Sequence, residues 1–467
     1  GKPPAVADLA FISGAADLDA ALGKAGTPLA APHDQLSALV HGTLPSPSFV
    51  SATARTHGPW ERDQAGALRV KRSDDVPFTL FVPRANGGTT TPIVLYQHQL
   101  GHERSDAVFV ANALATEGIA TLAIDAPFQG LRARPTDDGN SVDTIDRFTG
   151  AMQPDRFGDV PGDFFGIDEQ SGGLTPLHPF YARDAIRQGV VDLMSTVRFI
   201  EEGDFSPISS KLSGRTFGAP RYGLIGEDVG AQMGILLATY EPNLQAVALV
   251  GTGAAIGQDW WAAPGDQARF AALATLLGRD PTMIDYKNDS PAFWPGLAIF
   301  DTLTGRGEPL AYSAAFMRSP TNALMIMIDD DEAVSNAATE ALAVALGATF
   351  VSGEPRYVGD LDSQVASPGQ IVAGNFVIED DHITRVLQSY GPADHALLLS
   401  AEGSQHYDHP PDPPFSPLAS AKTFSNPNTA ALDQVADYFA SFFACVTTVN
   451  GSTAAMQCDA AATVAGQ

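Results

Sequence analysis

Cysteine is almost absent from this chain: Cys445 and Cys458 are the two in 467 residues. They are too few, and too near the C-terminus, to frame a metal site, and they stand in a stretch rich in Thr, Ser, Asn and Gly. A local disulfide is the expectation, worth roughly 3 kcal/mol at that loop length and implying an oxidising compartment, with two free thiols as the alternative. Basic residues are also scarce. Against 54 Asp and Glu there are 27 Lys and Arg, a formal charge of −27 spread along the chain, which repels nucleic acid and anionic membrane surfaces. Long apolar runs are missing too: no segment approaches the ~18 to 20 residues a membrane span needs, so no stable membrane insertion is expected. The start "GKPPAVADLA" has no charged-then-apolar leader and reads as a trimmed mature start or an expression remnant; a secreted or periplasmic location is the expectation.

What is present is a globular composition, 44% hydrophobic with a mean hydropathy of −0.01. Residues 1–75, rich in Ala, Pro, Gly, Ser and Asp, read as an N-terminal arm. From residue 76 short apolar runs recur: "PIVLYQH", "GIATLAIDAP", "RYGLIGE", "QAVALVG", "NALMIMIDDDE" and "HALLLSAEG". Helical patterns such as "SDAVFVANALATEG" and "ARDAIRQGVVDLMSTVRFIEEG" separate them. Strands apolar on both faces, alternating with helices, predict an α/β fold: a mostly parallel, doubly wound sheet covered on both sides. Its first part is expected over 76–251, an aromatic helical cap over 252–320, and the second part over 321–467 with a closing helix and tail. No internal repeat is visible; "PPDPPFSP" is a local turn.

Open α/β sheets bind ligands at the carboxyl ends of their strands, so the loops there are where chemistry is sought. After "RYGLI" comes Gly226-Glu227-Asp228-Val229-Gly230, a tight strand-to-helix turn that presents Asp228 and aims the Val229 N–H at any developing negative charge. A plain helix N-cap aspartate is the competing reading. After "IVLY" come Gln97, His98, Gln99, Leu100 and Gly101, with His98 expected to brace the loop. After "ALMIMI" stand Asp329, Asp330 and Asp331, the last placed to orient an imidazole, or else to cap the next helix; the spacing is not that of a calcium loop. After "ALLLSAEGS" come His406 and His409, of which His406 is preferred as general base. No metal or cofactor is called for.

Taken together, "VLYQHQLGHERSDAVFVANALATEGIATLAIDAPFQG", "ARDAIRQGVVDLMSTVRFI", "GEDVG", "DDDEAVSNAATEAL" and the late His406 resemble the α/β-hydrolase superfamily. The likeness is to bacterial secreted esterases and lipases of the virulence-factor lipase group, from about Val76 to Ala444. The resemblance implies a nucleophile at position 228, Asp331 as acid, His406 as base, and Val229 with Gln99 or Leu100 as oxyanion donors. It departs twice: Asp228 stands where the family has serine, and Gln99 where it has glycine. Three readings follow: an esterase or lipase scaffold altered by these substitutions, natural or engineered; an Asp-nucleophile hydrolase of halides or epoxides; or a catalytically silent binder. The expected substrate is a small ester or other apolar electrophile, with Gln99, Trp260, Trp261 and Trp294 as candidate contacts. Oligomeric state is not legible.

Overall fold

The computed structural model describes residues 5–22, 32–50, 59–84, 90–132, 178–254, 267–399 and 427–444 apart from short interruptions, with isolated pieces elsewhere. Eleven described strands join one sheet. At its N-terminal edge are β1 (Ala7–Ser13), β2 (Leu36–Ser48) and β3 (Arg72–Pro83), so residues 7–13 and 36–48 extend the sheet itself. Then come β4 (Ile93–Gln97), β5 (Ala120–Ile124), β6 (Tyr222–Glu227), β7 (Leu244–Val250) and β8 (Asn322–Ile328). Last are β9 (Thr349–Ser352), β10 (Ser363–Val365) and β11 (Arg385–Tyr390).

Their spatial order is β1-β2-β3-β5-β4-β6-β7-β8-β11-β9-β10. The β1/β2, β2/β3 and β3/β5 pairs are antiparallel and the rest parallel. From β4 the chain steps to β5 on one side and later to β6 on the other. That reversal is a topological switch point, and the carboxyl ends of β4 and β6 beside it are where open α/β sheets take their ligands.

The central strands are apolar on both faces because both are covered. Helices α1 (Val108–Thr116), α2 (Pro179–Glu202), α3 (Val229–Ala238), α4 (Asn336–Leu346) and α5 (Pro427–Ala444) do the covering. Ile186, Leu193 and Val197 of α2, Met233 and Leu237 of α3 and Leu342 of α4 form one core with Leu95, Leu224 and Leu249. Val110 and Leu114 of α1 and Val435 and Phe439 of α5 form the other with Val94, Ile225 and Ile326. Between β7 and β8 the described residues include the helices Gln267–Leu276, Tyr286–Thr304 and Pro309–Phe316. Among the described residues no helix is long and apolar enough to cross a membrane.

The last strand of the parallel block is not where the sequence placed it. "HALLLSAEG" is not a strand in its described part: Leu397, Leu398 and Leu399 are buried in a turn. The strand is instead Arg385–Tyr390, which pairs with β8. It reads poorly as a buried strand because it carries Arg385, Gln388 and Ser389, all buried. Each is satisfied by a partner. The Arg385 guanidinium, fully buried, donates to the carbonyls of Leu346 (3.0 Å), Phe316 (2.8 Å) and Ser319 (2.8 Å) and lies between the Phe316 and Phe376 rings. Gln388 accepts from Gln434 of α5 at 2.7 Å, and the Ser389 hydroxyl accepts from Arg356 at 2.9 Å.

Arg385→Leu therefore orphans several buried carbonyls at once. Each unsatisfied buried acceptor costs roughly 1–3 kcal/mol, so the variant is expected to lose at least about 3 kcal/mol, measured as a lowered urea midpoint with an unchanged m-value.

Candidate active site

Asp228 follows β6 directly and precedes the first residue of α3, with φ +48° and ψ −116°. For a residue with a side chain this is a strained conformation, of order 1–3 kcal/mol, that persists only where its surroundings enforce it. The enforcement is visible. Asp228 N–H donates to the Val250 carbonyl at 2.9 Å, and the Asp228 carbonyl accepts from Ala231 and Gln232. A Cβ at Gly226 would lie 2.5 Å from the Gly230 carbonyl oxygen; one at Gly230 would lie 2.7 Å from the His98 carbonyl oxygen and closer still to that of Gln97. The two glycines thus allow β6, α3 and the end of β4 to meet.

The loop after β4 faces this turn. The Leu100 N–H points at Asp228 Oδ2, 3.4 Å away, so a loop amide meets the buried carboxylate. Val229 opens α3, where helix N–H groups have no intrahelical acceptor. The loop is braced on both sides. His98, fully buried, donates from Nδ1 to the Gln99 carbonyl at 2.7 Å and accepts at Nε2 from the Ala126 N–H at 2.9 Å. Both bonds suit a neutral ring, and burial lowers its pKa in the same sense. His98 is a brace. Gly101 N–H donates to Gln129 Oε1 at 3.1 Å.

Of the three acids after β8, Asp329 forms a two-pronged ion pair with Arg356, at 2.9 and 3.0 Å, and Asp330 lies outside the described residues. Asp331 does something else. Its carboxylate takes His395 Nδ1 at 2.8 and 3.0 Å, while Oδ1 also accepts the Ala333 and Val334 N–H groups at 2.9 and 3.1 Å. The Asp331 side chain is 2% exposed and that of His395 16%. The imidazole lies against Gly251, where a Cβ would be 3.3 Å from Cε1. Gly251 directly follows β7, whose Val250 pairs with Glu227 of β6. The imidazole therefore sits one strand across from the Asp228 turn, on the same rim of the sheet.

His395 was missed by sequence reading because it was taken as the first residue of a strand. The usable signal is "YGPADH", a Gly-Pro turn that stops one strand and leaves the histidine five residues beyond Tyr390. His406, Trp260, Trp261, Cys445 and Cys458 lie outside the described residues, and Trp294, on the helix Tyr286–Thr304, is 51% exposed. Around the turn, Gln97 Oε1 and Nε2, Gln99 Oε1, Glu227 Oε2, Gln232 Oε1 and Thr252 Oγ1 are buried without a hydrogen-bond partner among the described residues. Such a concentration at the ends of β4, β6 and β7 marks a place that receives water or a ligand. No group of three or more His, Cys, Asp or Glu suited to a metal ion occurs among the described residues.

The mostly parallel sheet, the strained turn after β6, the acid after β8 and the histidine after β11 together define the architecture. It is the α/β-hydrolase fold. No protein-family model matches this chain, and no curated protein matches it. Among solved structures, acetyl xylan esterase 1 from Thermoanaerobacterium sp. is similar at 11% identity, covering 85% of this chain and 83% of its own, with a TM-score of 0.41. Dienelactone hydrolase from Anabaena variabilis is similar at 13% identity, covering 84% and 98%, with a TM-score of 0.34. A hyperthermophilic esterase from Pyrobaculum calidifontis is similar at 12% identity, covering 79% and 80%, also at 0.34. At such scores the likeness carries no inference about chemistry.

Glu227, beside the turn, accepts from the Tyr96 hydroxyl at 2.6 Å. Burial first, and Asp106 with it, push its carboxyl up to about 7, against the opposing pull of Tyr96, His102 and His395. Folded, it keeps a proton that the unfolded chain releases near 4.5. Stability from this group is thus full below about pH 4.5, falls as pH rises through that window, and is gone above about 7. Between pH 4.5 and 8 the native protein is expected to lose roughly 3 kcal/mol more than Glu227→Gln, read from urea midpoints; equal losses would mean that the folded carboxyl is already ionised.

Proposed function

We propose that this chain is a hydrolase of the carboxylic-ester type, acting on small esters, in which Asp228 holds the serine's place and slows acyl transfer. The observation that carries this reading is the hydrogen bond of His395 Nδ1 to the Asp331 carboxylate, beside a strained turn that meets the Leu100 amide. With the proton on Nδ1 facing the carboxylate, the lone pair of the imidazole is on Nε2, the tautomer a general base requires. The Leu100 and Val229 N–H groups are the donors for a tetrahedral oxyanion. His395 takes the role that chain order had suggested for His406, because the Asp331 carboxylate already binds one imidazole through both oxygens.

With serine at position 228, Nε2 would accept the hydroxyl proton as the oxygen attacks the ester carbonyl, the alcohol would leave, and water would release the acid. A carboxylate needs no such activation, but its attack on an ester yields a mixed anhydride, higher in energy than a serine ester. Ester turnover by the native chain is accordingly weak.

One observation favours a second substrate class. The Leu100 N–H contacts Oδ2 of Asp228, which leaves Oδ1 as the attacking oxygen. On an alkyl halide, Oδ1 bonds to carbon as the carbon–halogen bond breaks and halide leaves with the electron pair. On an epoxide the ring oxygen leaves carbon with the electron pair and takes a proton from water. His395 Nε2 then removes a proton from water, the hydroxide attacks Cγ of residue 228, and the alcohol departs, returning the carboxylate with one solvent oxygen.

Assays of short p-nitrophenyl esters with the intact chain test the first reading. Asp228→Ser is expected to raise kcat/KM at least about tenfold, and adding His395→Ala to remove about 10²-fold or more, with His406→Ala leaving it in place. No gain with serine would sink the ester assignment. Turnover of an alkyl halide or epoxide in ¹⁸O-water, with label appearing on Asp228 by mass spectrometry, would establish the second chemistry; product without label would exclude it.

A further inference from the structure

A second histidine–aspartate pair lies in the same loop. His102 Nδ1 is 2.7 Å from Asp106 Oδ2, and His102 Nε2 is 2.7 Å from the side-chain nitrogen of Gln99. Both side chains are close to nine-tenths buried, at 12% and 10% exposure. The Glu103 N–H reaches the same Asp106 oxygen at 3.4 Å, and the short helical turn Arg104–Ala107 holds Asp106 in place.

The chemistry of these contacts runs one way. A carboxylate only accepts, so Nδ1 bears a proton; the Gln99 amide nitrogen, which only donates, stands against Nε2, so Nε2 is the acceptor and the ring carries one proton. One N–H of the amide is thereby committed to His102, and its Oε1 is left buried, without a partner among the described residues. Gln99 therefore does not direct this N–H at residue 228, as its position suggests. It anchors the loop instead. The next residue is Leu100, whose N–H meets Asp228.

We infer that Asp106 and His102 are positioning residues: Asp106 fixes the tautomer of His102, His102 fixes the Gln99 amide, and the anchored loop sets the Leu100 N–H against residue 228. The catalytic consequence rests on the ester reading proposed above; the tautomer and amide orientation do not. The relay explains how a bulky side chain is accommodated where the resemblance implies glycine. It folds back onto its own loop.

Two measurements test it on the full chain. In ¹⁵N-histidine-labelled protein, with the His102 signals assigned by their loss in His102→Asn, the ring is expected as the Nδ1–H tautomer. In Asp106→Asn the amide NH₂ at position 106 donates, and the proton moves to Nε2. A native Nε2–H ring, or no change on substitution, overturns the relay. The second is a double-mutant cycle for ester turnover in the Asp228→Ser background. Asp106→Asn alone is expected to lower kcat about tenfold with little change in KM, and to have no further effect once Gln99→Ala is present. Equal effects with and without Gln99 overturn the positioning role. Should Asp228→Ser show no ester turnover, the ester reading fails while the tautomer measurement still decides this one.

Discussion

The backbone at residue 228 is the constraint on which the rest of the site depends. A single residue at φ +48° turns the chain from the last position of β6 into the first of α3, so helix amides and strand end share one point in space. The turn survives because its neighbours leave no alternative: the Val250 carbonyl holds its N–H, α3 takes its carbonyl, and both flanking glycines press backbone against backbone. A conformation costing of order 1–3 kcal/mol is tolerable in a sheet buried on both faces, because the packing that would be lost by relaxing it is worth far more. The loop after β4 is drawn into the same contact through the Gln97 and His98 carbonyls. Displacing the turn would therefore displace the Leu100 amide with it.

Around that point the protein builds with buried polar groups rather than apolar ones, and each helps fix another. His98 ties the loop to the end of β5, Gln129 ties Gly101, and Asp331 ties His395 while its Oδ1 caps the next turn. The histidine's own position is inherited from farther away. Arg385, spread over carbonyls from Phe316 to Leu346, seats the start of β11, and the strand it starts delivers His395 to the rim. Buried donors with no competing water make such chains stiff, which an active site needs when its groups must stay aligned without substrate.

How much of this was readable follows from what each residue's role depends on. The central strands β4 to β8 are legible because burial on both faces leaves an uninterrupted apolar run, and the turn at 228 because close approach demands glycine at fixed spacing. β11 was not legible: Arg385, Gln388 and Ser389 make it look exposed, and their partners lie on Phe316, Gln434 and Arg356, distant in sequence. The misplacement of that strand also hid His395, the imidazole that meets the Asp331 carboxylate. Asp331 stood out because its place depends only on a local turn after an apolar strand. Gln99 is the instructive case. Its place in the loop suggests a donor to substrate, yet the direction of its amide is decided by which nitrogen of His102 bears the proton, and that by Asp106.

The contact between the Leu100 amide and the Asp228 carboxylate has one more implication. A serine enzyme's anion cradle stands vacant between turnovers and is a natural resting place for a released acid. Here the cradle already holds a negative oxygen of the protein's own, and like charges at such range disfavour each other strongly. On the ester reading, carboxylate products would therefore leave this rim of the sheet quickly, and free acids would compete only feebly.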